Sequence, residues 1–367
     1  MAAINLGAKK RATFNELRVA EVRPLTESSV EVTFEVPDHL ADDYHYLAGQ
    51  HLALRTTIDG EDLRRSYSIC RPPADGKISV AVKRDLGGVF STWVNDSLRV
   101  GDTLQVMTPQ GAFTSNLDEL AGQHVVGIAA GSGITPIITM AHRVLAQSDT
   151  SRFDLLFTNR SSTEVMFVEE LADLKDRYPQ RLALHHVLSR EQRSAPILSG
   201  RLDEERLRTI LRDVIPVDIA DEWVLCGPFE LVQLCRDLLT EHGVPASRIR
   251  FELFTTGEPA PTRARPVEVR SGEKTVTIDF TLDGTSASVE SPVAANETVL
   301  NAALRVRPDV PFACAGGVCG TCRALVTEGS VSMTENYALE ADEIERGYVL
   351  TCQSHPQSER LVVNYDA

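Results

Sequence analysis

Cys314, Cys319 and Cys322 are separated by four and two residues, and Cys352 follows far downstream in Gly347-Tyr-Val-Leu-Thr-Cys-Gln353. That spacing is the one that holds a plant-type [2Fe-2S] cluster. Gly316, Gly317 and Gly320 lie between the thiols. Glycine reaches positive φ without a Cβ clash, so the chain can curl tightly there and turn its amides toward sulfur. Zinc is the competing metal, but it more often takes CxxC pairs. A cluster of this kind moves one electron at a time, so an electron source is expected upstream.

Over residues 14–115 the sequence alternates in short runs, at 16–22, 29–36, 51–58, 64–69 and 77–83, with Gly, Asp and Pro between them. This predicts an antiparallel β-barrel over residues 1–115. Three pieces of it carry chemistry. Arg64-Arg65-Ser66-Tyr67-Ser68 offers a guanidinium fork suited to phosphate and an aromatic face with a polar tip. Gly87-Gly88-Val-Phe-Ser91 opens a helix predicted to end near residue 98, and its free amides suit a pyrophosphate. Ala48-Gly49-Gln50-His51 leads into a strand. Taken singly, each reads equally well as an ordinary strand, cap or turn.

The pattern then changes. Strands at 125–130, 153–158, 182–188 and 222–226 alternate with helices at 136–146, 165–178, 204–210 and 229–242, which predicts a parallel sheet with crossover helices over 116–254. Gly131-Ser-Gly133-Ile-Thr135-Pro136 joins the first strand to the first helix. Thr135 is expected as the N-cap and Pro136 as the first helical residue, leaving amides free for a dinucleotide pyrophosphate. Arg160 and Ser161 follow the second strand, where an open sheet meets an adenosine ribose. An arginine there suits a 2′-phosphate and so NADPH, with NADH or a solvated loop arginine as the alternatives. Cys226-Gly227-Pro228 ends a later strand, and Cys226 alone reads as a small buried thiol. Phe254 closes the region and by itself reads as the end of a core strand.

Residues 255–266, with Gly257, Pro259, Pro261 and Pro266, have the composition of a linker. Beyond them, runs at 267–269, 276–282 and 285–290 flank Asp283-Gly284, a hairpin signal. Asn296 is expected to cap a helix running to residue 306, and the cysteine loop follows. Hairpin, helix and metal loop give a β-grasp order over 267–367.

The chain of 367 residues has room for several cores, and its 43% hydrophobic content is that of a globular protein. A formal charge of −15 argues against a nucleic-acid surface. Cys70, Cys226 and Cys235 are scattered, which fits a reducing, cytoplasmic setting. The apolar window at 124–145 is broken by Gly131, Gly133 and Pro136, so no membrane span is expected. Glu335, Glu340, Asp342, Glu343 and Glu345 lie between the third and fourth cysteines. They predict a negative face near the cluster that is steered toward a basic patch on a partner.

These motifs, in this order, resemble the ferredoxin-NADP reductase superfamily with a C-terminal plant-type ferredoxin domain. Long stretches at 48–51, 59–70, 128–136, 171–181 and 364–367 are similar to the reductase subunits of phenylacetyl-CoA epoxidase complexes. The resemblance implies that Arg65 pairs with the FAD pyrophosphate, Tyr67 packs on the flavin and Ser68 sits near its N5. It implies that Gly49, Gln50, Gly87, Gly88 and Ser91 line the same cofactor and that Phe254 shields it. Gly131, Gly133, Thr135, Pro136, Gly227 and Pro228 would meet the nicotinamide dinucleotide, with Ser68 and Cys226 at the reacting centre. Electrons would pass from NADPH through FAD and the cluster to a diiron oxygenase in a separate subunit. A reductase for a steroid or aromatic-ring oxygenase fits the same motifs, as does an electron carrier or redox sensor with an empty flavin site.

Overall fold

The computed structural model describes residues 12–111, 113, 117–254, 267–269, 272–339 and 341–367. The expected linker 255–266 and Glu340 lie outside the described residues.

The first unit contains β1 (Phe14–Thr26), β2 (Ser29–Glu35), β3 (His51–Ile58), β4 (Glu61–Ser68), β5 (Lys77–Lys83), α1 (Val89–Asp96) and β6 (Thr103–Met107). Its strands run in the order β4-β3-β6-β1-β2-β5, with every neighbouring pair antiparallel. A bridge from Ile69 to Val80 links the two edges, so the sheet curls into a barrel that is closed only there. Alternation places Leu17, Val32, Phe34, Leu52 and Leu54 in its core, and α1 adds Phe90 and Val94. Strand β6 lies outside the runs expected from sequence; at five residues it is too short to show a period.

The second unit contains β7 (His124–Ala130), α2 (Ile134–Gln147), β8 (Arg152–Asn159), α3 (Val168–Arg177), β9 (Leu182–Leu188), α4 (Glu204–Asp213), β10 (Glu222–Gly227), α5 (Phe229–Glu241) and β11 (Ile249–Leu253). All five strands are parallel, in the order β11-β10-β7-β8-β9. Strand order reverses between β7 and β10, which opens the crevice where such sheets take ligands. Two corrections follow. Thr135 does not cap α2, because Gly131 at φ +53 turns the chain out of β7 early and the helix starts at Ile134. The Thr135 hydroxyl instead donates to the Ser132 carbonyl at 2.9 Å. Helix α3 starts three residues later than expected, because Phe167 sits in the left-handed region at φ +60.

The third unit contains β12 (Thr275–Leu282), β13 (Thr285–Pro292), α6 (Val299–Val306), β14 (Arg323–Glu328), β15 (Val331–Met333), α7 (Ala341–Glu345), β16 (Tyr348–Leu350), β17 (Ser354–Pro356) and β18 (Arg360–Asn364). The sheet order is β13-β12-β18-β14-β16, with β12 and β18 parallel and β15-β17 set apart. Asp283 and Gly284 both take positive φ, as a two-residue hairpin turn needs. The helix cap is Thr298, whose hydroxyl accepts from the Asn301 amide at 3.2 Å; the expected cap, Asn296, is left-handed at φ +43 and ends a preceding turn. Residues 267–269 form no strand.

The barrel is pinned to the second unit by charge. Buried Glu31 accepts from Arg23 and from Arg71 at 2.7 Å, and both arginines also bond Glu170 on α3. Among the described residues no helix is long and apolar enough to cross a membrane.

Candidate redox site

Strand β4 sends alternate residues to opposite faces. Arg65 and Tyr67 fall on the barrel's inner side, where the Tyr67 ring lies 6.0 Å from that of Phe90. Arg64, Ser66 and Ser68 face outward. Ser68 donates to Glu252 Oε2 on β11 at 2.9 Å. His51, opposite Ser68 in the β3–β4 register, brings Nδ1 to 3.9 Å from Glu252 Oε1. The Glu252 side chain is only 11% exposed. Burial pushes its carboxyl up to about 8, with the Ser68 hydrogen bond opposing the rise. Cys226 is buried at the end of β10, and burial, then the neighbouring Glu252 charge, raises its thiol well above the usual range.

Ser68 and Cys226 thus meet on one carboxyl that sequence reasoning passed over. The available signal was a single acid in the otherwise apolar end of Ile249–Leu253. Glycine is required around this point. A Cβ on Gly133 would lie 2.2 Å from the Cys226 carbonyl oxygen, and one on Gly227 would lie 2.9 Å from the Ala130 Cβ. The loops after β7 and β10 therefore close against each other at the switch point, with Thr135 and Pro136 buried behind them.

The other expected residues are placed as follows. Gly49 takes φ +93, and the Gln50 side chain accepts from the Leu47 amide at 3.0 Å, shaping that turn. Among the described residues the Arg65 guanidinium meets no carboxylate in an ion pair; it donates to the Arg64 carbonyl at 2.7 Å. Gly87 takes φ +76, and Ser91 closes the turn before α1 by accepting from the Asp85 amide at 3.0 Å. Arg160 is exposed, 3.5 Å from Glu164, and the Ser161 hydroxyl lies 3.0 Å from that of Thr163. Pro228 is exposed ahead of α5, and Phe254 is 37% exposed just past β11.

The four cysteines come together as two pairs, Cys314 with Cys319 and Cys322 with Cys352. The Cys319 hydrogen bond and burial push the Cys314 thiol well up, and the same hydrogen bond draws Cys319 well down. Among the described residues no single-ion shell forms; two sulfur pairs suit two irons instead. The Gly316 amide donates to Cys314 Sγ at 3.4 Å, and the Thr351 hydroxyl holds the Cys322 carbonyl at 2.9 Å. Gly317 at φ +77 has no room for a Cβ beside the Glu335 carbonyl, 3.1 Å away. The residues present fit a [2Fe-2S] cluster.

A cavity of about 390 Å³ lies where the three units meet, and His51, Phe251, Glu252 and Cys319 are among its walls. The acidic run behaves differently from expectation. Glu343 is buried and pairs with Arg323 at 3.0 Å, and Asp342 pairs with Arg346 at 2.9 Å, so the face near the cluster is partly neutralised.

Residues 16–115 match the oxidoreductase FAD-binding domain, 128–237 the oxidoreductase NAD-binding domain and 280–357 the 2Fe-2S iron-sulfur cluster binding domain. Over 97% of its length the chain is 42% identical to a component of the 1,2-phenylacetyl-CoA epoxidase of Escherichia coli K12, covering 98% of that component. The chain belongs to the FAD- and NAD-binding reductases with a C-terminal 2Fe-2S domain. It is an NAD(P)H-dependent oxidoreductase, the reductase component of a multicomponent oxygenase. This reductase is also 33% identical to the ferredoxin reductase component of 3-ketosteroid-9-alpha-monooxygenase from Mycobacterium tuberculosis, over 96% of each chain. Phthalate dioxygenase reductase shares the fold, with a TM-score of 0.57 at 24% identity over 96% of this chain and 98% of that one. Full-length CYP116B46 of Tepidiphilus thermophilus superposes with a TM-score of 0.64 at 27% identity, this reductase covering 99% of itself and 43% of that chain.

In the purified reductase, Cys352→Ser should remove most of the cluster absorbance and leave flavin reduction by NAD(P)H intact, because cluster and flavin units have separate cores. Cys70→Ser should change neither spectrum. A full cluster in the Cys352 variant, by iron analysis, would refute the fourth ligand.

Proposed function

We propose that this reductase serves a phenylacetyl-CoA epoxidase, taking electrons from NADPH and delivering them to a diiron oxygenase in a separate subunit. The observation that carries this is the 42% identity sustained over 97% of the chain. The flavin unit is taken as residues 1–115, the nicotinamide unit as 116–254, the linker as 255–266 and the ferredoxin unit as 267–367. FAD, when bound, converts a two-electron hydride into single electrons that the cluster can accept.

The chain's own residues prepare that exchange. Arg65, half-buried and without an ion-pair partner among the described residues, supplies a fork for the FAD pyrophosphate. Gly49 and Gln50, with Gly87, Gly88 and Ser91, shape the turns that approach FAD, Tyr67 gives it a flat face and Phe254 covers it. The glycine loops at 131–133 and 227 let the nicotinamide come down on the ends of β7 and β10. Ser68, Glu252 and Cys226 stand where hydride would arrive. Below a pH of about 8 Glu252 is neutral; its ionisation would set a negative charge beside an incoming hydride. Arg160 and Ser161 recognise the 2′-phosphate, Arg160 exchanging Glu164 for it.

Three measurements test this. Flavin reduction followed by stopped flow should slow as pH rises through about 8, and Glu252→Gln should abolish that break; a break that persists in the variant removes Glu252 from the site. Arg160→Ala should raise KM for NADPH about tenfold while moving KM for NADH little, and equal effects would reassign the arginine. Mixed with a phenylacetyl-CoA-specific diiron oxygenase, the reductase should support epoxidation at a rate that falls with ionic strength. Turnover only with a steroid oxygenase would transfer the assignment to that class.

A further inference from the structure

The cluster loop faces inward. From Pro311 to Arg323 no residue is exposed; each is buried or half-buried. Ala313 packs against Ala53 and Met107 of the barrel. Val318 enters the core of the second unit, and the Tyr337 ring meets Phe229 of α5 edge-on at 6.1 Å. A loop covered on both sides in this way is placed to receive electrons from within the molecule. It leaves only part of its surface for a separate protein to reach.

Among the described residues, Arg64 adds hydrogen bonds from the barrel to this arrangement. Arg64 lies beside the FAD-contacting Arg65, but strand alternation turns it to the outer face of β4, the face that also carries Ser68. Its side chain is 4% exposed. It donates to the Pro308 carbonyl at 2.8 Å and the Val310 carbonyl at 3.2 Å, reaching across 244 and 246 residues of sequence. It lies 4.8 Å from the Phe312 ring and 5.7 Å from that of Phe14, near an aromatic ring of each unit. Asp62, 3.6 Å away on the same strand, balances the charge from the barrel side, and Asp309 adds attraction from the ferredoxin side. A planar guanidinium can aim separate N–H groups at two carbonyls while its flat face lies near a ring; the ammonium of lysine has no such flat face.

We propose that Arg64 is a latch holding the ferredoxin unit against the flavin barrel in a closed, loading position, and that the latch must open for the cluster loop to reach a partner protein. This rests on the reading of the four cysteines as cluster ligands. Arg64 is a positioning residue: it touches no reacting atom and sets where the loop of Cys319 lies relative to His51 and Glu252. Its acceptors are main-chain carbonyls of 308–310, which water can replace when the unit swings away, so opening leaves no carboxylate stranded.

The test uses the full-length protein with both cofactors bound. Arg64→Met keeps the volume and removes the donors; Arg64→Lys keeps the charge and loses the fork. In the Met variant, amide hydrogen exchange at 308–318 should rise at least tenfold, and small-angle scattering should show a larger radius of gyration. Flavin and iron content, and the rate of flavin reduction by NADPH, should stay within twofold of the parent. Reduction of the cluster after flavin reduction should slow at least tenfold, while transfer from a dithionite-reduced cluster to a separate one-electron acceptor protein should quicken. The Lys variant should fall between. Unchanged exchange, scattering and cluster reduction in the Met variant would overturn the latch. Slower oxidation by the outside acceptor would overturn the need for opening. If the Met variant loses flavin on purification, the Lys variant decides, because parent-like exchange at 308–318 would refute the proposal. Iron missing from the parent protein would instead sink the cluster reading, and the exchange comparison would still decide the latch.

Discussion

The carboxyl of Glu252 is the point on which the arrangement of the first two units converges. It belongs to β11, accepts from Ser68 on β4, stands by Cys226 on β10 and faces His51 on β3. A carboxyl held near 8 instead of its ordinary 4.5 resists ionisation by about 5 kcal/mol, so the group is stable there only in its neutral form. The folded chain therefore keeps a proton that the unfolded chain releases. The resulting penalty on stability is absent below the ordinary carboxyl range and grows as pH rises through about 8. A neutral acid makes a polar, hydrogen-bonding group beside Ser68 and Cys226 that adds no charge there. Because its partners come from two units, the grouping exists only while those units are fixed, which is the role of Glu31 and Glu170 with Arg23 and Arg71.

Period-two alternation in one strand divides the labour of the barrel. Arg65 and Tyr67 turn inward to the face that suits a flavin, and Arg64 and Ser68 turn outward to the other units. Two adjacent arginines of identical chemistry consequently meet entirely different surroundings. A shift of β4 by one residue would exchange them, so the β3–β4 register, fixed by the short turn through Asp59 and Gly60 at positive φ, underlies both sites.

What could be read from sequence was what has a period or a motif. The barrel runs, the alternation of strand and helix, the Asp283-Gly284 hairpin and the four cysteines each carry a local signature, and the three units appear where those signatures lie. Glu252 showed only as a lone acid in an apolar strand end, and Arg64 only as a neighbour of Arg65. Each acts through a partner far away in the chain, Glu252 through Ser68 and Arg64 through the carbonyls of Pro308 and Val310. The acidic run was legible as charge, yet not as a surface, because Arg323 draws Glu343 inward. Thr135 and Asn296 misled for a related reason: both are good caps by type, but left-handed residues nearby or at the site itself moved the helix starts.

Tethering the ferredoxin unit to the same chain raises its effective concentration at the flavin unit into the millimolar range, but a tether does not choose an orientation. Electron exchange needs both proximity and orientation, and a freely moving unit would present its loop to the barrel only part of the time. Docking supplies the orientation through small, close-packed surfaces, Ala53 against Ala313 and Val318 in the second unit, with a guanidinium at the margin. Ala53 and Ala313 let the units approach closely, and the Tyr337 ring against Phe229 adds a larger contact. At the margin the Arg64 bonds go to carbonyls that water can replace. Bonds of that kind can hold the loop's orientation when the units are together and pass to water when they part, which a purely apolar contact cannot do.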